Sequence, residues 1–382
     1  MLVEHVDFTA ACALMKALPR TRSVDTSVRI LGRDGTVRLS ATEPPTTVAV
    51  TIPGAHCNEE FTCSLRHLDQ VRAVMHGPRI QLVRVDDGLL LVDGHTQARL
   101  PAHGKPRPEP PRIPITPSLS IELFHRQARS VLTLGAVAGK DLSAPLFLDV
   151  LMGSGPDAIG IHATDGRTIS VQTSIDPASP EEDAQPAWCR VPAEALSSLH
   201  DVLGTAVDRV VVEGARDARG DHAVRIVAEA GDIHAEVSTR GHPFRLPAPR
   251  RPHQDVRTAN LTVGQVRALA RAARELGRPG VSTSLATDPA VSVWHVQGTN
   301  PDGLVIVKSL TGGSVPPSVV ATTLADPVRF ERAVDAMSTS LGSHCPAVLS
   351  IDGTGPGSGL TVQAAEPGLS WTVRMAGRRP LE

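Results

Sequence analysis

The chain reads as an α+β protein of three like domains, each with two helices packed on antiparallel β-sheets. Three observations lead there: six amphipathic helical windows spaced along 382 residues, a meander of short strands after every second window, and two proline-rich connectors that cut the chain into thirds.

The first window places Phe8, Ala11, Cys12 and Met15 at i, i+3, i+4 and i+7, the spacing of one helical face, and strands follow from Val28 to Ile52. The second window, Ser64 to Met75, carries Leu65, Leu68, Val71 and Met75. A three-strand run from Ile80 to Leu100 comes next, broken by the turn dipeptides Asp87-Gly88 and Asp93-Gly94. The middle third repeats this plan. Phe124, Ala128, Val131 and Leu132 are expected on one helical face, with strands from Leu146 to Ile175. A helix from Pro192 to Leu203 has its proline in the first turn, where no N–H is missed, and leads into strands from Arg209 to Thr239. In the last third Val266, Leu269, Ala273 and Leu276 make one stripe and Phe330, Ala333, Val334 and Met337 the next. Strand sets run from Val281 to Leu310 and from Ala347 to Met375.

The run Pro101 to Pro117 holds seven prolines and no periodicity, and Pro243 to Pro252 is similarly rich in proline and arginine. Both read as extended connectors, giving expected domains at 1–115, 116–253 and 254–382. The polar stretch Asp176 to Gln185 reads as a surface loop.

With 41% hydrophobic and 20% charged residues, the chain has the composition of a globular protein. No apolar run approaches the ~18 residues of a membrane span, and Glu4 and Asp7 stand where a secretory signal would be basic, so a cytoplasmic location is expected. Five scattered cysteines, Cys12, Cys57, Cys63, Cys189 and Cys345, fit reduced buried thiols rather than a disulfide framework. A formal net charge of −2 rules out a wholly basic coat. Tyrosine is absent and aromatics are 2%, which argues against stacking recognition of single strands.

Local charge is different. Arginines outnumber lysines 34 to 4, and Arg267, Arg271, Arg274 and Arg278 follow one another at spacings of 4, 3 and 4, opposite the apolar stripe of their helix. Arg126 and Arg129 in the middle third, Arg329 and Arg332 in the last helix, and Lys16, Arg20 and Arg22 at the end of the first make a recurring basic helix face. Such recurrence on a near-neutral chain points to one phosphate-facing surface for double-stranded DNA, against the plainer reading of ordinary solvated helix faces.

The strings Pro145-Leu146-Phe147-Leu148 and Ala163-Thr164-Asp165-Gly166-Arg167-Thr168-Ile169-Ser170 resemble the middle domain of the bacterial DNA polymerase III beta sliding clamp family, whose patterns there are Pro-x-Leu-Thr and Ala-Thr-Asp-Gly-His-Arg-Leu-Ala. Asp326-Pro327 leading into the last helix resembles the family's Asn-Pro-x-Tyr-Leu, and Trp371 to Met375 falls where the family ends in a Met-Pro-Met/Val-Arg-Leu tail, here continued as Ala376-Gly377-Arg378-Arg379. The resemblance spans the chain in architecture and about twenty positions in letters. It implies the DNA clamp fold and a head-to-tail homodimer, a ring that encircles duplex DNA without catalysis or cofactor. Two chains would line the hole with twelve helices; at ~9–10 Å between neighbours the hole is roughly 35 Å across. It also implies a pocket for short peptide motifs of replicative and repair polymerases and the clamp loader. The matching positions are Leu146, Thr164, Gly166, Arg167, Thr168, Ile169, Pro243, Leu246, Val373 and Met375. Thr168 stands at the family's Arg, Arg329 at its Tyr and Asp326 at its Asn, which implies a more positive pocket with less apolar lining. Arg274-Glu275 occupies the place of two aliphatic residues near the ring seam.

Other constellations read as structural. His56, Cys57, Cys63 and His67 lack a common zinc spacing. The glycine-rich run 353–359 has no Lys-Ser/Thr and joins two strands, so it reads as a hairpin loop. No Gly-x-Ser-x-Gly elbow or His-Glu-x-x-His is present, which places an enzyme behind two other readings: a sliding clamp, and a clamp-fold interaction module that does not close a ring.

Overall fold

The computed structural model describes residues 1–15, 26–43, 46–55, 58–103, 119–139, 149–154, 159–164, 169–176, 187–216, 222–241, 256–277, 282–288, 293–299, 305–311, 321–352 and 359–376. Among them one order of elements occurs three times. In the first third β1 (Leu2–Glu4) leads into α1 (His5–Met15), then β2 (Ser27–Arg33), β3 (Thr36–Glu43), β4 (Thr46–Pro53) and β5 (Glu60–Ser64). After α2 (Leu65–Arg72) come β6 (Arg79–Val85), β7 (Gly88–Val92) and β8 (Gln97–Pro101). The second third runs β9 (Leu119–Phe124), α3 (His125–Gly139), β10 (Asp149–Ser154), β11 (Ile159–Thr164), β12 (Ile169–Ile175) and β13 (Ala187–Pro192). It continues through α4 (Ala193–Leu203) to β14 (Arg209–Arg216), β15 (His222–Ala230) and β16 (Ile233–Gly241). The last third runs β17 (Val256–Thr262), α5 (Val263–Leu276), β18 (Ser282–Asp288), β19 (Val293–Thr299), β20 (Val305–Thr311) and β21 (Ala321–Thr323). It ends with α6 (Pro327–Leu341), β22 (Pro346–Asp352), β23 (Gly359–Glu366) and β24 (Leu369–Met375). The fold is α+β with antiparallel sheets, as the sequence predicts.

Two differences have clear physical reasons. A strand precedes the first helix of each third: β1, β9 and β17 pair with β6, β14 and β22, more than seventy residues away in each case, so local pattern gives no sign of them. Phe124, expected on the helical face of α3, instead closes β9 and is 44% exposed. Its backbone pairs with Arg209, and the chain turns from strand to helix at His125, the first residue of α3, which has φ 43°. Sheet pairing outweighs helical spacing there, while Ala128, Val131 and Leu132 are buried as predicted.

The chain divides into two compact units that do not follow the thirds: Met1–Leu132 with Ala187–Pro243, and Thr133–Pro186 with Phe244–Glu382. In the first unit, one sheet has the order β1-β6-β7-β8 and another the order β5-β2-β3-β4-β16-β15-β14-β9. The turn between β2 and β3 is Asp34-Gly35, both at positive φ (50° and 78°), the backbone that lets a two-residue loop follow the strand twist. Helix α1 packs on β3, β4 and α4; its own Phe8, Leu14 and Met15 are fully buried, as are Ile30, Leu39 and Ile52 of the strands. Each such side chain contributes about 1.5–3 kcal/mol relative to exposure.

In the second unit the strands β10-β11-β12-β24-β23-β22-β17 follow one another, and a separate sheet has the order β20-β19-β18-β21. Helices α5 and α6 pack against each other, and Trp294, Trp371, Phe330 and Met337 are closed to solvent. Residues 104–117 and 243–252 of the proline connectors and nearly all of the 176–185 loop lie outside the described residues. Cys12, Cys63, Cys189 and Cys345 are buried, and burial pushes the Cys189 thiol up to about 12.

Candidate nucleic-acid interface and partner site

Helix α5 is started by a capping box: Thr262 Oγ1 accepts the Gln265 N–H at 3.2 Å, and Gln265 Oε1 accepts the Thr262 N–H at 2.8 Å. Val266, Leu269, Ala270 and Ala273 face the core. Helix α6 starts on Pro327 behind Asp326, whose Oδ1 accepts the Arg329 N–H at 3.0 Å. The same carboxylate lies 3.3 Å from Arg329 Nε, so this arginine is folded back on its own helix start.

The predicted basic face divides into paired and unpaired groups. Arg267 Nε donates to Asp335 and Arg274 Nη1 donates to Glu331 at 2.8 Å, so two of the three arginines of α5 are met by carboxylates of α6. The Arg274 side chain is 57% exposed while Glu331 is 8% exposed, which puts the cation outside and its anion underneath. Glu275 is paired with Lys308 of β20 at 2.7 Å, and this contact holds its carboxyl below the usual range. Arg271 and Arg332 are exposed and make no ion pair among the described residues. Arg278 lies outside those residues, as do Lys16, Arg20 and Arg22. On α3, Arg129 Nη2 donates to the Thr205 carbonyl at 2.7 Å, closing the turn after α4, and Arg126 is half-buried. Helix α1 carries no lysine or arginine; its Asp7 carboxyl is pushed up by burial, then by Glu4 and Asp232.

Of the expected peptide-pocket residues, Ile169, Val373 and Met375 converge through the pairing of β12 with β24. Ile169 stands opposite Met375, and Val171 opposite Val373. All three are buried, at 3%, 1% and 3% exposure. Thr164 ends β11 opposite Ser170. Leu146, Gly166, Arg167, Thr168, Pro243 and Leu246 lie outside the described residues. Alternate positions point to the other face of this sheet, where His162 Nε2 lies 2.8 Å from Ser170 Oγ and Arg374 stands opposite Ser170 in the register. Burial first, then Arg374, keeps His162 below its ordinary value.

Two features were not legible beforehand. One is an ion-pair ladder across the first unit: Glu236 of β16 takes Arg225 of β15 at 2.8 Å and Arg38 of β3 at 3.7 Å, and Arg225 also holds Glu213 of β14 at 3.0 Å. The other is the edge strand β20, where Val305, Ile306 and Val307 are 46%, 51% and 52% exposed. Consecutive strand residues point to opposite faces, so the exposed triplet contributes apolar side chains to both faces of the strand. Among the described residues no group of three His, Cys, Asp or Glu could hold a metal ion; Cys63 is buried, and His56 and Cys57 lie outside them. No helix among the described residues is long and apolar enough to cross a membrane.

No protein-family model matches the chain, and no curated protein sequence does. Solved structures match over its whole length. A DNA polymerase III beta subunit from Thermotoga maritima is 14% identical, covers 100% of this chain and 99% of its own, and has a TM-score of 0.72. A DNA polymerase sliding clamp from Bacillus subtilis is 12% identical with the same coverage and a TM-score of 0.74. A Helicobacter pylori beta clamp bound to a DNA ligase peptide is 13% identical, covers 99% of both chains and has a TM-score of 0.71. Identity this low speaks for architecture alone, and the architecture is that of the DNA sliding clamp.

Proposed function

We propose that the protein is a divergent DNA sliding clamp: a non-catalytic processivity platform of three domains, 1–115, 116–253 and 254–382. Paired head to tail with a second copy, it encircles duplex DNA in the cytoplasm and tethers polymerases, repair proteins and the clamp loader through short peptides. The observation that carries this reading is the match between strand edges. Within each unit one sheet is continued across two thirds of the chain, by β4 on β16 and by β12 on β24. By element order β20 is the third member of the set β4 and β12, and β8 the third member of the set β16 and β24. Both β20 and β8 end their sheets, and β20 carries the exposed apolar triplet. A second copy supplies the missing pairing, β20 of one chain on β8 of the other. Light scattering tests it: a dimer at micromolar concentration is expected, and a monomer at tens of micromolar removes the ring.

The peptide reading rests on the convergence of Ile169, Val373 and Met375 and on the same fold holding a DNA ligase peptide in another clamp. Titration with clamp-binding peptides against wild type, Met375→Ala and Leu146→Ala checks it, with thermal melts to separate lost binding from lost folding. A second reading, a clamp-fold interaction module without a ring, is favoured by the Glu275–Lys308 pair, since charge beside an edge strand discourages pairing. It predicts a monomer that still binds such peptides.

A further inference from the structure

Helices α5 and α6 carry more positive charge in the sequence than they present to a partner. Their surface bears Arg267, Arg271, Arg274 and Arg332, but Asp335 and Glu331 each neutralise one guanidinium. Counterion release, the term that favours contact with a phosphate backbone, depends on net positive charge brought to the phosphates. An arginine held by a carboxylate keeps spare N–H donors, because a guanidinium has five and each of these pairs uses one nitrogen. It can still orient a phosphate, but the pair as a whole has no net charge, and its carboxylate repels the anion. Arg271 and Arg332 are the two that remain uncompensated by an ion pair among the described residues.

We propose that Asp335 and Glu331 are affinity-limiting residues for duplex DNA: they hold Arg267 and Arg274 in reserve and keep the contact of this helix pair with phosphates weak enough to slide. This rests on the reading of α5 and α6 as DNA-facing. Geometry supports the division of labour. Glu331 lies buried beneath an arginine that is itself more than half exposed, so removing its charge leaves the guanidinium in solvent and available. Asp335, at 36% exposure, is far more open than Glu331 at 8%, so neutralising it perturbs the packing less.

The test is binding of a fluorescent duplex to the full-length protein over a salt series, with wild type, Asp335→Asn, Glu331→Gln, the double variant and Arg271→Glu. Each freed arginine should steepen the slope of log affinity against log salt by about 0.9 and tighten binding roughly threefold at 50 mM relative to 200 mM salt. The double variant should show both increments, and Arg271→Glu should weaken binding. If Asp335→Asn and Glu331→Gln leave slope and affinity at wild-type values while Arg271→Glu still weakens binding, the carboxylates do not limit affinity and the proposal is overturned with the DNA-facing reading intact. If neither the neutralised variants nor Arg271→Glu differ from wild type at low salt, the helix pair does not face DNA and both fall. Asp335→Asn, at a half-exposed site, keeps the test decisive if Glu331→Gln melts early.

Discussion

Asp93 shows how much one carboxylate can organise. Its Oδ2 accepts the N–H groups of His76 at 2.6 Å and Gly77 at 2.9 Å, and its Oδ1 accepts that of Thr96 at 2.9 Å, tying the segment after α2 to the turn between β7 and β8. The bonds from Gly77, His76 and Thr96 hold its carboxyl far below the ordinary value of 3.8. Its folded pKa is depressed, so its contribution is present in full above about pH 4 and is lost as acid titrates towards the folded value. Asp93→Asn should lower the melting temperature at pH 7, and the gap from wild type should narrow below about pH 4; a gap independent of pH refutes this account. Gly77→Ala should also destabilise, by about 1–3 kcal/mol in denaturant melts, because a Cβ there would stand 2.1 Å from the Asp93 carbonyl oxygen. Loss of the α5 cap in Thr262→Ala should cost about 1 kcal/mol. The sequence identifies Asp93-Gly94 as a turn from composition alone. It does not reveal that Asp93 reaches back to His76, because that contact depends on where α2 ends in space.

Edge strand β20 makes the most direct prediction among the elements. Ile306→Lys or Val307→Lys should convert a dimer to a monomer in light scattering with little change in the monomer's melting temperature, since both side chains are already half exposed within the chain. A large fall in melting temperature would instead assign the triplet to the internal packing of the sheet. Helices were legible because four or five apolar residues at helical spacing make a local signal, and α5 and α6 stand where that spacing puts them. Their charge was legible only in part. The spacing of Arg267, Arg271 and Arg274 gives a common sector, but the anions that meet two of them lie 68 and 57 residues further along the chain. Short strands fared worse for the same reason: the three residues of β1 acquire their identity from β6.

For the whole molecule, the expected contact with duplex is weak, independent of sequence and steeply reduced by salt, and charge reversal of Arg267 with Arg271 should weaken retention on closed circular DNA. No effect at low salt would remove these arginines from the contact. Peptides with acidic residues beside an apolar anchor should bind better than neutral ones, and less well as salt rises, if Arg167 and Arg329 border the pocket. That Ile169, Val373 and Met375 come together was expected only through the family resemblance. Spacing could not have found it, because these residues meet only through the pairing of β12 with β24.

That pairing and its counterpart, β4 on β16, bear on how the protein could be dissected. The middle third gives β16 to one compact unit and β12 to the other, so it is a dovetail rather than a separable bead. A fragment cut at the two proline connectors, residues 116–253, would leave both strands as bare edges lined by Val237, Ala235, Val171 and Ile175, all buried in the intact chain. Such a piece should self-associate or melt early, and because each compact unit is itself built from two separated segments, no single cut of the chain isolates either one.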